Sequence, residues 1–293
     1  MTYHQYQKYT RIKKRRLCTG IIVFYLFIIV AASNAQSLMQ SWSKDPQIGV
    51  EWYKPSFAGS EYTTMTGIGF FSMDIPVNTG LRIKADIPFG YYSTRLYQND
   101  SKFSIFNPYI GIEHNIHNSP LAVDFGVRLG LSDNSLFFIN ENSNYYRFYA
   151  AIPKTWILRA NLHYLKHLPM GFSYQFLFGS YVTLPPNKGY GKSEWYLNYG
   201  VHTRYQYQQL LVGAGIKGIS ILTNAFVIAS NGTTTKKYRF SHQFYFEIGS
   251  TLQNWTPTIY MAFPFDDYIS GTSQLNYILG FRLNIHLPVN PNG

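Results

Sequence analysis

Apolar and polar residues alternate along most of the chain with a period of two. From Leu121 to Leu131 every second residue is Leu, Val or Phe, and the residues between them are Ala, Asp, Gly and Arg. The same alternation runs from Leu81 to Phe89 and from Leu275 to Leu287. A period of two is typical of β-strands whose two faces meet different surroundings.

This pattern predicts an all-β protein, because no segment keeps a helical period. Strands of soluble proteins usually have about 5–6 residues, whereas a tilted strand that crosses a bilayer needs about 9–11. Most strands predicted here have 10 to 14 residues, long enough to span a membrane. The twelve predicted strands are 47–56, 64–75, 80–91, 107–117, 120–131, 154–166, 171–183, 193–206, 209–221, 237–251, 256–265 and 275–287.

The connections between these strands alternate in length. The short ones are 76–80, 117–120, 167–171, 207–209 and 252–256, and the longer ones are 57–63, 92–106, 132–153, 184–192, 222–236 and 266–274. Outer-membrane barrels show the same asymmetry, with short periplasmic turns and long outer loops. An even number of strands places both ends of the chain on the periplasmic side. We therefore predict a transmembrane up-and-down antiparallel β-barrel.

The apolar face of these strands is expected to meet lipid. The polar face carries Gly and charges of both signs, as a lumen does, and the apolar face has many aromatic residues, which form girdles at membrane interfaces. Closure into a barrel also removes the unpaired strand edges that hydrocarbon does not tolerate. The alternative is a soluble secreted β-protein that buries its apolar face.

The first 35 residues have the order of a secretory signal peptide. A basic stretch, Arg11–Arg16, precedes sixteen mostly apolar residues, Leu17–Ala32, and the small residues Ser33 and Ala35 follow. This order predicts cleavage after Ala35, which mass analysis of the mature N-terminus would detect. The apolar run is short for a bilayer span, so a single uncleaved anchor is the less favoured alternative.

The expected organisation is therefore a signal peptide at 1–35 and one outer-membrane barrel domain at 36–293. The only cysteine, Cys18, lies in the leader. The barrel domain therefore cannot form a disulfide, a thiolate zinc site or a cysteine nucleophile. Cys18 also opens the apolar run instead of ending it, which excludes a lipoprotein acylation site.

Together, the leader, the alternating hairpins and the uneven connections resemble the outer-membrane β-barrel proteins of Gram-negative bacteria. Two stretches, 75–91 and 107–113, are similar to a recurrent group of small barrels without a known function. The resemblance implies the outer membrane as location, and its lipid and the barrel-assembly machinery as partners. The chain departs from the usual aromatic ending because it closes with Pro288–Gly293, and Phe281 in the last strand is the candidate substitute.

The net charge of +11 comes largely from the leader. Six of the 25 Lys and Arg lie in the first 16 positions, so 19 remain against 14 Asp and Glu. The remaining basic residues are scattered, so no nucleic-acid partner is expected.

Eleven charged residues lie on the predicted polar face. They line the lumen in the predicted barrel and are the candidates for contacts with a solute. Seven are basic and four acidic, so an open lumen would favour anions. The alternative is a network of ion pairs that fills a narrow barrel, since small barrels have filled interiors. The residues are Arg82, Lys84, Asp86, Glu113, Asp124, Arg128, Arg159, Lys217, Arg239, Glu247 and Arg282.

The sequence predicts neither a metal site nor a cofactor. His114 and His117 are three residues apart and point to opposite sides of a strand, and no histidine has ligand spacing to another ligand type. The best candidates for a lipid-cleaving pair, Ser241 and His242, are adjacent and face opposite sides of a strand. A second serine, Ser173, has no histidine two residues away. We therefore do not expect an enzyme.

Three functions remain open at this point. The first is passive transport of small solutes through a mildly anion-favouring lumen. The second is a non-conducting structural barrel in an envelope complex, and the third is a lipid-acting outer-membrane enzyme.

Overall fold

The computed structural model describes residues 45–57, 67–93, 101–132, 150, 152–186, 192–223, 226–228, 234–236, 240–264 and 275–287. The predicted signal peptide, its cleavage site and Arg239 lie outside these residues. No helix that is long and apolar enough to cross a membrane occurs in the described part of the chain.

Fifteen β-strands and one 3-10 turn, Pro169–Gly171, make up the regular structure of the described residues. The strands are β1 Gln47–Phe57, β2 Gly67–Pro76, β3 Leu81–Ser93, β4 Ser101–Ile105, β5 Tyr109–Asn115, β6 Leu121–Arg128, β7 Trp156–His167, β8 Phe172–Leu184, β9 Trp195–Tyr207, β10 Leu210–Ile221, β11 Phe226–Ile228, β12 Thr234–Lys236, β13 Phe240–Ser250, β14 Trp255–Pro264 and β15 Leu275–His286.

Neighbouring strands pair antiparallel in one closed ring. The ring runs β1, β2, β3, β5, β6, β7, β8, β9, β10, β13, β14, β15 and returns to β1. The seam joins the first and last strands, from Gln47 opposite His286 to Phe57 opposite Leu275. The predicted twelve-stranded up-and-down barrel is therefore confirmed.

Strand β4 is a part of the barrel wall that the sequence analysis wrongly assigned to the loop 92–106. It pairs with the end of β3, so that β4 and β5 form one barrel strand with an interruption at 106–108. The N–H of Phe106 bonds to the carbonyl of Pro88 at 2.8 Å and continues the β4 ladder, and the register then shifts by one residue before Tyr109 pairs with Asp86. This bulge places the consecutive residues Phe106 and Asn107 both inside, which interrupts the alternation.

A second difference concerns the predicted loop 222–236. Strands β11 and β12 lie within it and pair with each other in a separate two-stranded sheet. They have only three residues each, too few for a period of two to be visible in the sequence.

The two faces of the wall differ sharply. The outward face is apolar: Ile83, Leu158 and Phe125 are exposed, and Phe125 is 54% exposed. Inward side chains are buried, and Lys84, next to Ile83 in β3, is 1% exposed. An apolar outer band around a closed wall is what a barrel needs in hydrocarbon, where every backbone group must be paired.

The interior has two zones along the barrel axis. The zone near the short turns is charged, and the zone near the long loops contains a cluster of apolar side chains beside a few polar ones, such as Arg128 and Gln243. The sequence did not predict this apolar cluster. We call this cluster the apolar collar; its buried residues are Tyr53, Ile68, Phe70, Phe106, Ala150, Ile157, Tyr181, Tyr196, Ile219, Ile221, Tyr245, Tyr260, Ala262 and Ile278.

Candidate functional site

The lumen brings together ten of the eleven charged residues that the sequence singled out. All ten lie on the inner face; nine are buried, and Arg282, whose side chain is 18% exposed, is half-buried. Their role in binding a solute stays a prediction. Three further inward charges, Glu51, Asp74 and Arg204, were not predicted, although each lies two residues from another inward side chain.

Three ion pairs connect β3 with its neighbours. Arg82 donates to Asp74 at 2.6 Å, and Lys84 donates to Glu113. Arg128 reaches over β5 to Asp86 and donates two hydrogen bonds, at 2.7 and 2.8 Å. Two parallel bonds of this kind fix the guanidinium in orientation as well as in position.

Asp124 is the centre of a second group on β6 and β7. Its oxygens accept hydrogen bonds from Arg159 at 3.1 Å and from the amide of Asn161 at 2.8 and 2.9 Å, and His163 also contacts them. The amide of Asn198 donates to Asn161 at 3.1 Å and extends the group to β9. Charged and amide side chains thus form one continuous band on this part of the wall.

Glu247 is the centre of a third group on the opposite part of the ring. It accepts hydrogen bonds from Arg204 at 2.7 Å and from Arg282 at 2.6 Å. Arg282 also lies 3.7 Å from Glu51, which accepts a hydrogen bond from the Tyr53 hydroxyl at 2.9 Å. Two arginines and two glutamates therefore neutralise one another.

The inward charges of the described strands nearly cancel. The seven cations are Arg82, Lys84, Arg128, Arg159, Arg204, Lys217 and Arg282, and the six carboxylates are Glu51, Asp74, Asp86, Glu113, Asp124 and Glu247. Of the predicted set, the ten described residues are six basic and four acidic, so adding Glu51, Asp74 and Arg204 lowers the positive excess from two to one. The two additional carboxylates therefore weaken the basis for an anion preference.

Glycines on the inner face make room for side chains that lie flat on the wall. The ring of Tyr109 covers Gly111 and Gly126, and a Cβ atom at either glycine would lie 2.2 Å from the tyrosine hydroxyl. Arg128 and Arg159 stand 5.5 and 5.1 Å from the centroid of this ring, within the range of a cation–π contact. Gly213 similarly accommodates His202 and Glu247. Gly213 therefore provides space for these two side chains.

We predict that Gly126→Ala lowers the free energy of unfolding by about 1–3 kcal/mol, because the added methyl group displaces Tyr109 from a packed position. Gly80→Ala is the matched control: it lies in a short turn, has no positive φ, and its Cβ would come no closer than 3.6 Å to a neighbour. Urea titration of the barrel refolded in lipid vesicles measures the free energy of unfolding of both variants. An equal effect of the two substitutions would contradict the packing role of Gly126.

Glu113, Asp124 and His163 converge so that one ligand atom of each lies within 4.8 Å of the others. Spacing along the chain did not indicate this cluster, because the three residues come from three strands. Lys84 contacts Glu113, and Arg159 contacts Asp124, so protein cations already neutralise both carboxylates. The arrangement is that of an ion-pair network.

The candidate residues for lipid cleavage do not form a catalytic pair. Ser241 is buried on the inner face, whereas His242 lies on the outer face, where its Nε2 is 2.6 Å from the Tyr199 hydroxyl. Ser173 is also buried, with its hydroxyl 3.4 Å from the carbonyl of Arg204. A serine and a histidine on opposite sides of the wall cannot act as nucleophile and base.

Comparison with known proteins supports the fold. No family model matches the chain, and no curated protein matches it. An outer membrane channel from Pseudomonas putida F1 superimposes with a TM-score of 0.56 at 9% identity, covering 87% of this chain and 100% of the channel. NanC porin gives a TM-score of 0.50 at 8% identity, covering 83% of this chain and 100% of the porin. At such low identity the likeness shows the fold, that of bacterial outer-membrane β-barrels.

Proposed function

We propose that this protein is a passive channel for small solutes in the outer membrane of a Gram-negative bacterium. The observation that carries the proposal is a closed wall with an apolar outer band and an inner face lined by charged and amide side chains. Such an inner face offers hydrogen bonds to solutes in transit. The likeness in fold to an outer membrane channel and a porin supports the proposal.

The charges that line the lumen of this channel nearly cancel. Its carboxylates are buried and paired with cations from nearby strands, which keeps the pathway free of a strong field of either sign. The single excess cation gives at most a weak anion preference. Outer-membrane lipid and the barrel-assembly machinery are the partners that this role requires.

A double variant in which alanine replaces both Arg128 and Arg159 tests whether the ion-pair network limits conduction. The double variant removes the arginine partners of Asp86 and Asp124, and with them two side chains from the lumen. We expect a less stable barrel with a larger single-channel conductance, because a buried carboxylate without its partner is poorly solvated. Single-channel recording in planar bilayers, beside urea titration, measures both quantities.

The same recording separates the channel from the second candidate, a non-conducting structural barrel. The mutual pairing of the buried charges is the observation that favours this candidate, since it also describes a filled interior. A wild-type protein that never conducts, with a double variant unchanged in conductance and stability, would overturn the channel proposal. Co-purification of envelope proteins would then support a structural role.

A further inference from the structure

Histidine side chains lie beside both carboxylates on which the ion-pair network converges. His163 contacts Asp124, and Nε2 of His202 lies 3.3 Å from a carboxylate oxygen of Glu247. Both imidazoles are buried on the inner face. His286, the third histidine on this face among the described residues, is half-buried at the turn end of β15. An imidazole ordinarily titrates between about pH 5 and 8, a range in which paired carboxylates and guanidinium groups keep their charges.

The groups around His163 carry both signs of charge. Asp124 of β6 and Glu113 of β5 each place an oxygen within 4.8 Å of a ring nitrogen. Arg159, on the same strand as the histidine, bonds to Asp124, and Lys84 of β3 bonds to Glu113. On the other side, β8 places an uncharged leucine opposite the imidazole. The two carboxylates stabilise a charged ring at short range, but the two cations already balance them. A proton on His163 therefore adds one net positive charge to the lumen.

His202 has comparable surroundings on the opposite part of the ring. The charged and titratable groups around it are Glu247, Arg204, Arg282, Tyr245 and Lys217. The glutamate bonds to both arginines as well as contacting the imidazole. The tyrosine ring meets the imidazole edge-on, and the lysine ammonium lies 5.0 Å from the centroid of the tyrosine ring. On β8 an uncharged glutamine lies opposite. A proton here also adds one net positive charge.

The charge balance of the lumen makes these two protons important. The described inward side chains carry seven cations and six carboxylates, a positive excess of one. Protonation of His163 and His202 raises this excess from one to three. In a pathway whose fixed charges nearly cancel, such a change determines which sign of ion is enriched.

We propose that acid makes this channel select anions, because protonation of His163 and His202 gives its nearly neutral lumen a clear positive charge. His286 contributes less, because it lies at the mouth of the lumen, where water and salt screen its charge. This inference rests on the proposed channel function and deepens it by naming how the selectivity of the pathway is regulated.

The test measures the reversal potential of the full barrel in planar bilayers under a gradient of KCl. The two measurements are made at about pH 8 and about pH 5, at the two ends of the range in which an imidazole titrates. We expect the ratio of chloride to potassium permeability to rise roughly fivefold in acid. A unit charge about 7 Å from an ion in water changes the local concentration of that ion about threefold, in opposite directions for the two ions, and salt weakens this effect.

Glutamine variants locate the titrating groups, because glutamine keeps a hydrogen-bonding side chain but does not titrate. The double variant with His163→Gln and His202→Gln should lose most of the rise in anion selectivity. His286→Gln should keep most of it. His114→Gln and His242→Gln are the matched controls, because both histidines lie on the outer face of the wall, and their acid response should equal that of wild type.

A second measurement does not depend on current or on the folding of the double variant. The Cε1–H signals of the histidines in the wild-type barrel, recorded by NMR in detergent micelles and assigned with the single variants, report protonation directly. The signals of His163 and His202 should shift between about pH 8 and about pH 5. Signals of both residues that stay constant over this range would overturn the inference.

The bilayer recordings separate the inference from the function on which it rests. A rise in anion selectivity in acid that the double variant loses supports the inference. A KCl current with the same selectivity at both pH values, or with a rise that persists in the double variant, overturns the inference and leaves the channel function intact. A wild-type barrel without KCl current at either pH overturns the channel function, and the inference with it.

Discussion

Phe125→Arg is expected to lower the free energy of unfolding by about 2–4 kcal/mol, the penalty of a charge on the lipid face near the bilayer midplane. Phe125 lies in the middle of β6, opposite Ile112 and Ala160 in the two neighbouring strands, and points outward. The guanidinium would have to leave water for hydrocarbon. Urea titration of the barrel refolded into vesicles gives the difference between variant and wild type.

Val77→Arg is the control for this substitution. Val77 is also exposed, but it lies in the short turn between β2 and β3, where the new charge meets water. Its stability should stay close to that of wild type. If arginine is tolerated equally at Phe125 and Val77, the outward face does not meet lipid, and the membrane assignment fails.

Glu247→Gln is expected to lower the free energy of unfolding by about 3–5 kcal/mol, the range observed when one partner of a buried ion pair is removed. The substitution keeps the volume of the side chain but removes the charge that Arg204 and Arg282 share. Two buried guanidinium groups would then repel each other, with Glu51 as the only carboxylate of the group. Asp45→Asn, at an exposed carboxylate near the turn end of β1, is the control.

A second substitution tests whether the lost charge balance causes the loss of stability in Glu247→Gln. In Glu247→Gln combined with Arg282→Met, one glutamate and one arginine of the group remain, so the charges cancel again. The double variant should therefore recover part of the stability lost in the single variant. A double variant whose loss equals the sum of the two single losses would argue against a shared network.

The strands were predictable because every residue of a barrel wall faces either lipid or the interior. The resulting alternation predicts a strand at 171–183, and the structure has β8 at Phe172–Leu184. In Ser101–Ile105 the alternation is kept, with Phe103 and Ile105 facing outward, but it covers only five residues before a bulge. Strand β4 was missed for this reason.

The site was less predictable than the fold, because it depends on partners that are far apart in the chain. Arg204 and Arg282 lie 43 and 35 residues from Glu247, and only the closed ring brings them to one carboxylate. The apolar collar is similarly invisible in the sequence. A single inward Ile, such as Ile157 or Ile278, looks like a local exception until the height of every strand along the axis is known.

The seam between β1 and β15 bears on how the protein is made. The strand that completes the hydrogen bonding of β1 is the last barrel strand to be synthesised, so β1 has an open edge until translation of the barrel is nearly complete. Pairings of such long sequence separation form slowly, and open edges recruit other chains. Truncation before Leu275 would leave two permanent edges and convert a barrel precursor into a seed for aggregation.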